Sequence, residues 1–228
     1  FTGLLGGNET GRIPPLLMTD ISHSSPPLSL VERAREVIRS EIDGLEAVAR
    51  ALPEAVFEGI ITKLARDAED RRKIIVIGVG KPSLIGRKFA ATLNSTGAVA
   101  VVLDAQDALH GDLGVVSNGD TVFALSYSGE TKELVEVLSY VKRFDVDIVG
   151  ITKRLDSTLA QLSNWVLPIP IEREACPHNL APTTSTTAML ALCDAIAMAL
   201  LHHRGFTRDD FARFHPSGSL GKALLLRV

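Results

Sequence analysis

The sequence predicts an α/β fold: a three-layer αβα sandwich on a five-stranded parallel sheet, preceded by a helical arm. Three observations carry this. Runs such as KIIVIGVG (73–80) are continuously apolar and β-branched, as strands buried on both faces are. Such runs alternate at short intervals with segments of helical periodicity, the pattern of parallel strands joined by crossover helices. The strands also run out into glycine, hydroxyl-bearing or charged residues, at the edge where open parallel sheets bind ligands.

The elements follow in order. Residues 1–27 read as a leader or flexible arm: FTGLLGGNETGRIPPLL, then a Pro/Ser-rich stretch. The domain is expected over 28–228. Residues 28–52 place apolar side chains at helical spacing with Glu and Arg opposite. This helix is either an oligomer contact or packs on its own domain. Pro53 stops it and opens a second helix over 53–70. Strands are expected at 73–80, 98–104, 120–126, 147–152 and 165–171. Between them lie helices at 82–97, 130–144 and 157–163 and a short helical or turn segment, DALHGDLG (107–114). After the loop EREACPHNLAPTTS (172–185) comes a long apolar helix (186–205) expected to be almost wholly buried. Short helices at 206–214 and 219–226 follow it.

Composition narrows the function. The 228 residues are 46% hydrophobic and 22% charged, with a net charge of −3, enough for one well-filled core. The absence of a basic block excludes a nucleic-acid partner, and the 5% of aromatic residues leaves no base-stacking surface. No apolar stretch is expected to reach the roughly 18 residues of a bilayer span, so no membrane partner is expected. Cys176 and Cys193 have neither a disulfide-framework nor a zinc spacing, which reads as a reducing, cytoplasmic setting.

The chemistry lies at three strand exits. SYSGET (126–131) offers the hydroxyls of Ser126, Ser128 and Thr131, with Gly129 letting backbone N–H groups approach a ligand. The helix that follows aims its unpaired N–H groups at the same point. One hydroxyl would be a cap; three and a glycine exceed capping and point to an anion. GVGKPS (78–83) lacks a dinucleotide fingerprint or a P-loop, so neither NAD nor ATP is expected. Its Lys81 either faces the site or is solvated. His110 in HGDLG is a ring-opening acid, a hydroxyl ligand or a structural histidine. Glu172 and Glu174 leave the last strand, where a carboxylate can shuttle a proton between adjacent carbons, or they are loop charges. His215 sits in a Gly/Ser turn. No sequence pattern supplies Cys176 with a base to make it a nucleophile, His178 carries no assigned role, and His202 and His203 near a helix end are read as serving its dipole.

SYSGET after a strand, with GVGK upstream, resembles the sugar isomerase (SIS) domain family. ALHGDLG, EACPHNLAPTTSTTAMLALCDAIAMALL and RGFTRDDFARFHPSGSLGKALLLRV are similar to its arabinose 5-phosphate isomerase branch. The resemblance runs from about residue 28 to the end and implies a flavodoxin-like sheet. It also implies interconversion of D-arabinose 5-phosphate and D-ribulose 5-phosphate through an enediol, feeding the eight-carbon acid sugar of lipopolysaccharide or capsule. Carried over by position, the catalytic residues are Lys81, Glu133, Glu174 and His215. Substrate contacts are Ser83, Gly97, Ala98, His110, Ser126, Ser128, Gly129 and Thr131. The family implies a homotetramer in which residues like His215 reach a neighbour's site. Its chains commonly continue into a pair of nucleotide-sensing repeats, the CBS domains.

Two departures from the family pattern stand out. GKPSLIG replaces GKSGxIG, so Pro82 removes a hydroxyl and an N–H that Ser83 partly restores. Asp104 stands where relatives often carry a zinc-holding histidine, so no metal is expected, and no cofactor either. The competing readings are a non-catalytic sugar-phosphate sensor on the same fold and an isomerase of another ketose phosphate. The joint presence of Lys81, Glu133, Glu174 and His215 favours an enzyme, since a sensor has no need of proton-transfer groups.

Overall fold

A computed structural model describes residues 28–215; the expected arm at 1–27 and the last short helix at 219–226 lie outside them. Five parallel strands form one sheet: β1 (Ile74–Gly78), β2 (Ala100–Leu103), β3 (Thr121–Leu125), β4 (Asp147–Thr152) and β5 (Trp165–Pro168). Their order is β2-β1-β3-β4-β5, the flavodoxin-like arrangement, which reverses direction between β1 and β3. The pairing is in register from Ile74 against Ala100 and Thr121. All five residues of β1 and of β3 are buried, as the apolar runs predict.

Alternation along the strands feeds two cores. Ile74, Val76, Phe123, Leu125, Val149 and Ile151 pack on one face, against α2 (Glu54–Glu69), α3 (Lys81–Ser95) and α7 (Thr184–His203). Ile75, Ile77, Val122, Ala124 and Ile148 pack on the other, with α4 (Ala105–Leu109), α5 (Lys132–Val141) and α6 (Thr158–Leu162). This is the three-layer sandwich. A 3-10 turn, Asp112–Val115, follows α4, and α8 (Arg208–Phe214) follows α7.

The arm helix α1 (Leu30–Ala51) begins at Ser29, whose side chain and that of Glu32 form a capping box, satisfying two orphan backbone donors. Its second half lies on α7, where Gly44 faces Thr184 so closely that a Cβ would meet the Thr184 side chain. Residues 31–39 are all exposed.

Three expectations need correction. β5 ends at Pro168 rather than at residue 171, because Pro168 and Pro170 have no N–H to give a ladder. α7 is not almost wholly buried: Ala191, Ala195 and Met198 are exposed. It is also long and apolar enough, by length and composition alone, to cross a membrane, against the expectation that no stretch qualifies. Here its buried side, Ala188, Leu192, Ile196 and Leu200, is part of the core, and Lys88 of α3 pairs with its Asp194.

Candidate active site

β3 delivers its last residue into a compact turn. Ser126 is buried, and its hydroxyl lies 2.9 Å from Thr131 Oγ1 and 3.5 Å from Ser128 Oγ. The Gly129 N–H donates to Ser126 Oγ at 3.1 Å, and the Glu130 N–H to Ser128 Oγ at 3.2 Å. Three hydroxyls thus share one locus at the start of α5. Thr131 is the N-cap of α5 but makes no side-chain cap bond, so the capping explanation fails for it. The helix keeps unpaired N–H groups and its positive dipole end toward the locus.

Gly129 is required here: φ is +71°, and a Cβ would meet Ser157 Cβ at 2.5 Å and Thr152 Oγ1 at 2.8 Å. Its carbonyl accepts from Leu159 N, so α6 braces the turn. Glu130, absent from the sequence expectations, takes the Thr158 N–H and hydroxyl at 3.0 and 2.7 Å. The Thr158 hydroxyl and then its backbone N–H hold the Glu130 carboxyl below its ordinary pKa.

On the same edge, β1 exits through Gly80 (φ +68°) into α3. Lys81 is its first residue and is exposed, and Pro82 sits in the first turn, where its missing N–H costs no helical bond. The Ser83 hydroxyl donates to Gly80 O at 2.7 Å, so its proton serves the turn. β2 exits to Asp104, which caps α4 by accepting from Gln106 N at 2.8 Å; His110 ends α4 and is exposed. Glu133 lies in the first turn of α5, exposed, where a carboxylate also complements the helix dipole.

The loop after β5 holds Glu174, which is buried. Its Oε2 accepts from Thr183 N at 2.8 Å, Ser185 N at 3.1 Å and Thr183 Oγ1 at 3.3 Å, and its Oε1 from Ser185 Oγ. Asn179, in the left-handed region at φ 54°, accepts the Glu174 N–H. Burial alone would raise the Glu174 pKa, but the Ser185 and Thr183 donors outweigh it and hold the carboxyl below the ordinary glutamate value. Glu174 is therefore ionised at neutral pH and also clamps the N-terminus of α7. Cys176 lies two residues on; backbone N–H groups of Ala181, Leu180 and His178 lower its thiol pKa.

The fold thus gathers Lys81, Ser83, His110, Ser126, Ser128, Gly129, Thr131, Glu133 and Glu174 at the carboxyl edge of the sheet. It does not bring Gly97, Ala98 and His215 there in the same chain. Gly97 and Ala98 precede β2, and the next residue, Val99, pairs with Ile74 at the amino edge. Phe206 and Phe214 pack against Gly97, which puts α8 and His215 at that edge too. His215 stacks on Phe211 at 3.8 Å, with Nδ1 2.8 Å from Phe211 O. Two further groups went unforeseen. Tyr127 donates its hydroxyl to Ile171 O. At the amino edge, buried Asp67 is held by Lys63 and Thr121. Among the described residues no group of three or more His, Cys, Asp or Glu side chains is placed to hold a metal.

Fold and site define an α/β domain whose ligand edge carries a hydroxyl cluster at an uncapped helix start, with an ionised carboxylate in a neighbouring loop. The chain belongs to the SIS domain family, which matches residues 69–199. It is 41% identical over 200 residues to the arabinose 5-phosphate isomerase KdsD of Francisella tularensis, covering 88% of this chain and 61% of that protein. It is 38% identical over 199 residues to the arabinose 5-phosphate isomerase KpsF of Escherichia coli, covering 87% of this chain and 60% of that one. The chain spans about three fifths of the length of these relatives. Among solved structures, c3406 of E. coli CFT073, in complex with arabinose 5-phosphate, superposes with a TM-score of 0.77 at 35% identity. That match covers 82% of this chain and 97% of c3406.

Proposed function

We propose that the chain carries the isomerase domain, 28–228, of an aldose–ketose isomerase acting on arabinose 5-phosphate and ribulose 5-phosphate. The observation that carries the reading is the cluster of Ser126, Ser128 and Thr131 hydroxyls at the uncapped start of α5, on the edge that also holds ionised Glu174. The relatives' names and the sugar phosphate bound to c3406 support the choice of substrate. The phosphate dianion replaces the hydroxyls' mutual bonds and takes the unpaired N–H groups of α5. Its binding energy then positions the sugar carbons.

Isomerisation moves a proton between C1 and C2 through an enediol. Glu174 takes the C2 proton and returns it to C1, while a second proton passes between the two oxygens. Its four donors hold it ionised, as a base must be, but also compete for its lone pairs, so sugar binding has to loosen one of them. Lys81 offsets enediolate charge, Glu133 orients a partner, and His110 or His215 opens the sugar ring. Because Gly97, Ala98 and His215 lie at the amino edge, the complete site joins that edge of one subunit to the carboxyl edge of another, in a homotetramer. The reading includes a cytoplasmic location, supported by the unpaired Cys176 and Cys193, and a product that feeds the eight-carbon acid sugar of lipopolysaccharide or capsule.

Glu174→Gln tests the reading with arabinose 5-phosphate as substrate. Loss of the carboxylate lowers kcat by about 10²- to 10⁴-fold; near-normal turnover removes the shuttle. Ser128→Ala raises KM at little cost in kcat. An unchanged KM would put the phosphate elsewhere.

A further inference from the structure

We propose that Tyr127 is a positioning residue that couples occupancy of the phosphate loop to the placement of Glu174. The inference rests on the reading of residues 126–131 as the phosphate site and of Glu174 as the proton carrier. Tyr127 lies between two of the hydroxyl-bearing residues, yet its side chain leaves the cluster. The ring is half-buried against the core that contains Ile169 and Ile171. Its hydroxyl donates to Ile171 O at 2.8 Å. Among the described residues this is the one hydrogen bond between 126–131 and the 169–185 segment.

Both ends of this connection are fixed at points that matter. At the loop end, the Tyr127 carbonyl accepts from Lys153 N at 3.0 Å and from Thr152 Oγ1 at 3.3 Å, so the residue cannot shift alone. At the other end, Ile171 is buried at the exit of β5, three residues before Glu174. Glu174 is in turn locked to Thr183 and Ser185 at the start of α7. A phosphate that takes the Ser126 and Ser128 hydroxyls and the Gly129 N–H from one another pulls on the chain on both sides of Tyr127. That pull reaches Ile171 through a single hydroxyl. A phenylalanine would fill the same apolar space; the hydroxyl adds only the tie.

The test uses Tyr127→Phe in the full chain with two readouts. The first is backbone hydrogen–deuterium exchange with and without inorganic phosphate, which needs no catalysis. In the wild type, phosphate slows exchange at 126–132 and at 170–179; in Tyr127→Phe the first protection persists and the second is lost. The second readout is steady-state kinetics with arabinose 5-phosphate. Here kcat falls about tenfold, the scale of a small misplacement of the reacting groups, while KM stays within about twofold because the phosphate hydroxyls are untouched. A variant that transmits protection to 170–179 as the wild type does, or that keeps wild-type kcat, overturns the coupling and leaves the phosphate site standing. Wild-type protein that shows no phosphate protection at 126–132 overturns the phosphate-loop reading and the coupling with it.

Discussion

Glu174 is where two demands on one carboxylate meet. Ser185 and Thr183 hold it ionised against the cost of burial, and a hydrogen bond to such a charged group contributes roughly 1.5–3 kcal/mol. The folded pKa is depressed, so this stability is present above the ordinary glutamate value of 4.5 and is lost as pH falls through the lower folded value. Ser185→Ala removes the donor that lowers the Glu174 pKa most and leaves three to oppose burial, so the carboxyl pKa rises. An acid unfolding titration will show the variant destabilised at neutral pH. If Glu174 is the base, the acid limb of its kcat/KM profile moves to higher pH. An unmoved limb separates the clamp from the chemistry. Gly129→Ala meets both a left-handed backbone and a filled space, a strain of about 1–3 kcal/mol. It will lower the melting temperature and weaken inorganic phosphate binding, measured by calorimetry. The residue types at 126–131 were legible because hydroxyls and glycine at a strand–helix junction have few other uses. The clamp on Glu174 was not, because its donors lie nine and eleven residues on, in a loop without periodicity. Tyr127 looked like filler between two serines, since nothing local shows that its hydroxyl reaches 44 residues along the chain.

At the level of elements, the strands and helices were legible because buried parallel strands and amphipathic helices leave different periods in the sequence. The errors fall where period is uninformative. Prolines shortened β5, and α7 is apolar on its buried and its exposed sides alike, so its composition overstated its burial. α1 divides in two. Its second half is pinned to α7 at Gly44. From Leu30 to Ile42 the helix carries Leu30, Val31, Ile38 and Ile42, exposed at 88, 60, 58 and 48%, a stripe that the other described residues do not cover. In the proposed assembly a second copy covers it. Val31→Asp with Ile38→Asp will therefore lower the oligomer mass seen by light scattering while leaving the circular dichroism spectrum unchanged. An unchanged mass would assign the stripe to something other than self-association.

For the whole molecule, the decisive arrangement is the separation of the expected site across the sheet. Glu174 and the hydroxyl cluster sit at the carboxyl edge, and Gly97, Ala98 and His215 at the amino edge. For Gly97 and Ala98 this was legible in the sequence, since a helix expected to end at 97 and a parallel strand expected to begin at 98 put both at the amino edge; α3 runs back along the sheet before β2 begins. If subunits share sites, Glu174→Gln and His215→Ala chains are each inactive alone. Mixed and re-assembled at equal amounts, they recover about one quarter of wild-type activity, the share of sites that random pairing in a symmetric oligomer leaves intact. No recovery would confine each site to one chain. The proposed reaction is a proton transfer between two carbons of a sugar held by the SYSGET turn. The direct measurement is proton NMR of arabinose 5-phosphate incubated with the protein in deuterium oxide. Deuterium will enter at C2 with the wild type, and entry will be abolished in Glu174→Gln although the sugar still binds. Saturating binding to the wild type with neither ribulose 5-phosphate formed nor deuterium at C2 would contradict this and leave a sensor of phosphosugars in place of an isomerase.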